Sequence, residues 1–144
     1  MLVQHILKAK ADDAVVTVLP SVTMREAAEI LAERKIGTVV ISSDGHVPDG
    51  ILSERDIVRE IAQRGSAVLT ESVDTYMTSK LVTCTRNASA DAILSTMTQK
   101  RFRHMPVVEN GELVGLVTLG DVVKARLSEL KMEKDALEGM IMGY

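Results

Sequence analysis

Hydrophobic and polar positions along the chain form one series of strand-like runs and helical stripes that occurs twice. Val15-Val16-Thr17-Val18 is a β-branched run, and Leu81-Val82-Thr83-Cys84 is its counterpart 66 residues later. After the first run, Thr23 and Glu26 have the spacing of a capping box, and Met24, Ala27, Ala28 and Leu31 make one apolar helical face. The same offset leads to Ala90, Ile93, Leu94 and Met97, a second such face, opened by Ser89. Two strands follow in each half. Thr38–Ile41 and Val47–Leu52 are joined across Ser42-Ser43-Asp44-Gly45, and Met105–Val108 and Leu113–Val117 across Glu109-Asn110-Gly111-Glu112. Asn-Gly is a strong hairpin turn, because both central residues of that turn need positive φ. Gly50-Ile51-Leu52-Ser53-Glu54-Arg55-Asp56 then matches Gly115-Leu116-Val117-Thr118-Leu119-Gly120-Asp121, and each opens a helix.

The pattern predicts an α/β (α+β) fold of two β-α-β-β-α repeats with added N- and C-terminal helices. The first repeat and its N-terminal helix take residues 1–70, and the second, with an extended C-terminal helix, takes 71–144. A unit of roughly 60 residues is marginal alone, so the repeats are expected to pack through their sheets and share a core. A pseudo-twofold axis between them creates two related clefts. Beyond Asp121, Val123, Leu127, Leu130, Leu137 and Ile141 follow a heptad-like spacing interrupted by Lys134, and Gly139 and Gly143 weaken the last turns. Val3, Ile6 and Leu7 make a short apolar face at the start. Both end helices either cap their own domain or meet a second copy.

Composition narrows the function. With 17 basic and 20 acidic residues the net charge is −3, and the only aromatic residues are Phe102, Tyr76 and Tyr144. Sequence-independent nucleic-acid binding needs a basic surface and stacking platforms, so no nucleic-acid partner is expected. No apolar run approaches the roughly 20 residues that cross a bilayer, and the start lacks a signal-peptide core, so a cytoplasmic protein with no membrane partner is expected. The single cysteine, Cys84, excludes an internal disulfide and reads as a structural thiol in a β-run. His5, His46 and His104 make no metal set, and neither a nucleotide-binding glycine loop nor a metalloprotease motif occurs. No catalytic residues, metal or catalytic cofactor are read here.

Two features carry candidate chemistry. Ser53-x-x-Asp56 and Thr118-x-x-Asp121 have the form of helix N-caps, and an ionised carboxylate there keeps acceptor oxygens to spare. The cluster Lys100-Arg101-Phe102-Arg103-His104 suits phosphate, since guanidinium groups match phosphate oxygens. Lys100 and Arg101 are read as a solvated helix end, favourably placed near a helix C-terminus.

These elements, with Phe102-Arg103-His104-Met105-Pro106-Val107-Val108, resemble a tandem pair of cystathionine β-synthase-type (CBS) domains, a Bateman module of the stand-alone bacterial kind. The resemblance covers about 120 residues, from the Val15 strand to beyond Asp121. It implies a non-enzymatic sensor that holds AMP, ADP, ATP or NAD(H) between the repeats, with S-adenosylmethionine less suited to the basic cluster. By the resemblance Asp56 and Asp121 would read the ribose hydroxyls, with Ser53 and Thr118 capping. Thr17, Val39 and Ile51, or Thr83, Met105 and Leu116, would line the base pocket beside Pro106, and Arg55, Arg103 and His104 would meet phosphate. It further implies a homodimer and an unknown protein target. The alternatives are an interaction module whose clefts stay empty and, further off, an enzyme of nucleotide metabolism. Ile36-Gly37-Thr38 stands where the second repeat has Phe102-Arg103-His104, so the two sites should be unequal.

Overall fold

The computed structural model describes residues 1–10 and 15–142; Gly143 and Tyr144 lie outside the described residues. The elements are α1 (Val3–Ala9), β1 (Thr17–Val18), α2 (Met24–Arg34), β2 (Thr38–Ile41), β3 (Gly50–Ser53), α3 (Glu54–Arg64), α4 (Ala90–Lys100), β4 (His104–Glu109), β5 (Glu112–Thr118) and α5 (Leu119–Met142). Tight 3₁₀ turns at Ser66–Thr70 and Val73–Thr75 join the halves. Thr23 Oγ1 accepts from Glu26 N, and Ser89 Oγ from Ala92 N, both at 3.1 Å, so α2 and α4 start as their cap residues predict. Both end on a left-handed residue, Lys35 and Arg101.

The order β1-β2-β3, with β1 parallel and β3 antiparallel to β2, returns in the second half with one strand lost. The expected Leu81–Cys84 strand is reduced to a parallel bridge between Cys84 and Val107. In the first half Val40 N donates to Val16 O at 3.0 Å and Ser42 N to Val18 O at 2.9 Å. In the second, Val108 N donates to Cys84 O at 2.8 Å, but the place of Val40 is held by Pro106, which has no N–H to give. The hairpin Asn110-Gly111 has φ 52° and 81°, the paired positive angles its sequence predicts. The β3 strand starts at Gly50 instead of Val47 because Asp44 Oδ1 draws in His46 N (2.8 Å) and Val47 N (2.9 Å), holding those residues in a turn.

The buried side chains form two clusters, one per half, instead of one shared core. The lead-in segments are exchanged between them. Val3, Ile6 and Leu7 of α1 pack with Ala90, Ile93 and Met97 of the second half, while Val73, Tyr76 and Met77 pack on the first. Backbone bonds fix the exchange: Val3 N to Ala88 O at 2.9 Å, and Val73 N to Val22 O and Met24 N to Glu71 O at 2.8 Å. Two glycines make room for it. A Cβ on Gly115 would lie 2.9 Å from Leu7 Cδ1, and one on Gly50 would run into Met77 Sδ and lie 3.0 Å from Thr78 O.

The halves meet through their sheets. Val39 and Ile41 face the first cluster, and the alternate residues Thr38, Val40 and Ser42 are buried too, on the other face. Between the halves, Leu113 N of β5 donates to His46 O of the turn before β3 at 2.6 Å. Helix α5 continues past the domain: after Val122 and Ala125 none of its side chains is buried, and Leu127, Leu130, Leu137 and Ile141 are all exposed. None of the described helices is long and apolar enough to cross a membrane.

Candidate functional site

A cleft of about 1090 Å³ opens between the repeats, where the N-termini of α3 and α5 approach each other. Its first wall is Ile51, Ser53–Asp56 and Arg59; its second is Lys100–His104 with Thr118–Gly120; Lys80, Leu81 and Val82 of the connecting segment run along it. The halves are built alike here. Glu54 N donates to Gly37 O at 2.9 Å, and Leu119 N to Arg103 O at 2.8 Å, so each helix start is pinned to the residue just before the first strand of its hairpin. Helix N-termini carry partial positive charge and favour anions.

Both capping boxes form. Ser53 Oγ accepts from Asp56 N at 3.2 Å while Asp56 Oδ2 accepts from Ser53 N at 2.8 Å. Thr118 Oγ1 accepts from Asp121 N at 3.1 Å while Asp121 Oδ2 accepts from Thr118 N at 2.9 Å. Each carboxylate also has a cation: Asp56 Oδ1 with Arg59 Nη2, and Asp121 Oδ2 with Lys10 Nζ, both at 2.9 Å. Burial pushes the Asp121 carboxyl up, but Thr118 N–H and the Lys10 ammonium outweigh it and hold it below the usual range.

The charge around the cleft opposes that of the chain. Arg55, Arg59, Lys80, Lys100, Arg101, Arg103 and Lys124 line it, against only Glu54 and Asp56, in a chain whose net charge is −3. His104 is half-buried at the junction of the repeats: a Cβ on Gly37 would lie 3.6 Å from its Nε2 and 3.8 Å from Glu54 Oε1. Burial pushes the His104 imidazole down, helped by Lys10 and Arg103 and opposed by Glu54 and Asp121, so it is mostly neutral near pH 7 and can still take a proton.

Of the candidates read from the sequence, Ile51, Ser53, Arg55, Asp56, Arg103, His104 and Thr118 line this cleft. Val39 and Met105 do not. They alternate onto the opposite faces of their strands and are core residues, 0% and 2% exposed. Pro106 is buried within β4, and Thr17 and Thr83 are exposed outside the cleft walls. Leu116 and Asp121 lie off it, both bound to Lys10. Lys100 and Arg101, read as a solvated helix end, are exposed but line the cleft, because the left-handed turn at Arg101 folds the chain back along it. Arg59, Lys80 and Lys124 also line it without a sequence signal that marks them, and Val123 and Leu127, read as the start of the heptad-like seam, line it as well. Cys84 is half-buried, with its thiol pushed up to about 11 by burial and Glu109, which suits packing and not nucleophilic attack. No group of three or more metal-ligating side chains occurs among the described residues.

The chain is thus a duplicated α/β unit with a basic cleft at two helix N-termini. The family model described as CBS domain matches residues 6–63 and again 73–128, and the chain belongs to the CBS-domain family. It is similar to the crystal structure of a CBS-domain containing protein from Agrobacterium tumefaciens, with 46% identity and a TM-score of 0.82 over 88% of this chain and 99% of that one. It is also 31% identical, over 84% of its length, to the mitochondrial CBS domain-containing protein CBSX3 of Arabidopsis thaliana, and spans 61% of that protein. The structure of CBSX2 in complex with AMP aligns with a TM-score of 0.71 and 25% identity over 88% of this chain and 96% of that one.

Proposed function

We propose that this chain is a non-enzymatic regulatory module that binds an adenosine-containing ligand, one of AMP, ADP, ATP or NAD(H), in the cleft between its repeats. The observation that carries this reading is the cleft's surplus of cations beside a carboxylate, Asp56, at a helix N-terminus. A ribose diol supplies two donors, which suit a carboxylate already aimed by its cap. Phosphates suit Arg55, Arg103 and His104, with Lys80, Lys100 and Arg101 near the rim. The AMP held by CBSX2 supports the same class of ligand. S-adenosylmethionine brings no phosphate and leaves those cations unused.

Ligand contacts reaching both repeats would favour one arrangement of the pair, and a protein target would read the shift. The module acts in the cytoplasm as a homodimer, its exposed α5 stripe meeting a second copy. Bound nucleotide is recovered unchanged after hours. The reading is tested by thermal melts of ligand-stripped protein with AMP, ADP, ATP, NAD, NADH and S-adenosylmethionine. A ligand at 100 times its Kd adds about 2.7 kcal/mol, a rise of a few degrees for a chain of this size. A rise with one or more adenine nucleotides is expected. No rise with any of them would overturn the reading.

One observation favours a second reading, an interaction module with empty clefts: both aspartates already have a capping partner and a cation. In that case the same melts stay flat and substitution of either aspartate changes only stability.

A further inference from the structure

Asp56 and Asp121 hold the same place in their repeats, yet the structure treats them differently. Asp56 lines the cleft, and its cation is Arg59, three residues along its own helix with a side chain 52% exposed. Asp121 is held by Lys10, from the other end of the chain. The Lys10 side chain is 22% exposed, and its Nζ lies 2.9 Å from Asp121 Oδ2 and 2.9 Å from the Leu116 carbonyl. Leu116 and Asp121 are the counterparts of Ile51 and Asp56, the apolar wall and the carboxylate of the cleft. One ammonium therefore bridges the two groups of the second repeat that correspond to ligand-facing groups in the first. In the first repeat the Ile51 carbonyl is satisfied by a backbone amide, Thr78 N at 2.9 Å, so no cation stands in that position.

The difference bears on displacement. Arg59 is a surface side chain, and it can swing toward a phosphate while a diol takes its place on Asp56. Lys10 is more enclosed, and moving it would leave both the Leu116 carbonyl and the Asp121 carboxylate without that donor. We propose that Lys10 determines which of the two related positions takes a ribose, by occupying Asp121 and leaving Asp56 as the carboxylate open to exchange. This rests on the adenosine reading of the cleft. One chain then binds one ligand, and the second position opens only when Lys10 is removed.

The test is isothermal titration of the full chain with AMP and, separately, with ATP. It compares wild type with Lys10→Met, with Lys10→Gln, which keeps a neutral donor and so guards against misfolding, and with Lys8→Met as an exposed control on the same segment. Wild type and Lys8→Met are expected to take one equivalent of the nucleotide that binds, and both Lys10 variants two. Adding Asp121→Asn to Lys10→Met is expected to return the count to one. A single equivalent in both Lys10 variants, or two in wild type, would overturn the role of Lys10 while leaving the adenosine reading intact. No binding of either nucleotide by any variant, together with flat melts for ADP, NAD and NADH, would remove both.

Discussion

At the scale of single residues, the Ser53–Asp56 and Thr118–Asp121 pairs separate capping from recognition. Ser53→Ala removes an N-cap and should cost about 0.5–2 kcal/mol in urea unfolding, with the AMP affinity of the folded fraction changing far less. His104 gives a pH signature. Its imidazole titrates below 6.5 in the folded chain, chiefly through burial, so the unfolded chain takes up the proton first. Its contribution is therefore complete above about pH 6.5 and is lost as pH falls from there toward the folded value. Melting temperature should drop more steeply from pH 7.5 to 5.5 in wild type than in His104→Asn; parallel curves would contradict the assignment. The capping pairs were legible because three-residue spacing after a strand is a local signal. The faces of Val39 and Met105 were not: β2 is buried on both sides, so alternation could not say which side looks into the cleft. Lys10 left no trace, since its partners lie more than a hundred residues away and nothing local announces such a pair.

At the scale of elements, the repeat was readable from strand, cap and turn order, and the deviations trace to individual side chains. Pro106 accounts for the missing strand in the second half. Pro106→Val restores an N–H in the place where Val40 donates to Val16, and the new amide should exchange slowly with solvent; fast exchange would show that the proline is not what ends the pairing. Gly115 admits Leu7, and Gly115→Ala forces that side chain to move, at a cost of about 1–3 kcal/mol. In α5, the heptad-like spacing of Leu127, Leu130, Leu137 and Ile141 holds as one helix, and these side chains are exposed. If a second copy covers them, Leu137→Glu with Ile141→Glu should convert a dimer to a monomer in sedimentation without altering the melting of the domain. An unchanged sedimentation coefficient would place any dimer contact elsewhere.

At the scale of the molecule, the division of the chain near residue 70 describes sequence order better than space. Each half is completed by the segment that leads into the other, with α1 on the second cluster and the residues after Ser72 on the first. A short α1, read either as a cap on its own domain or as a contact with a second copy, gave no sign of this, because an apolar face does not name the surface that covers it. The exchange ties the repeats together and fixes the cleft that both of them line. That cleft gathers cations from distant parts of an acidic chain around Glu54 and Asp56. The most direct measurement is the affinity of wild type and Asp56→Asn for AMP by isothermal titration, with the melting temperature of each taken alongside. Asparagine can still accept the Ser53 N–H, so the helix start should hold. The prediction is one equivalent bound by wild type and at least about a tenfold weaker affinity in Asp56→Asn at nearly unchanged stability, the scale of one charge-assisted hydrogen bond. Equal affinities in the two proteins would contradict it.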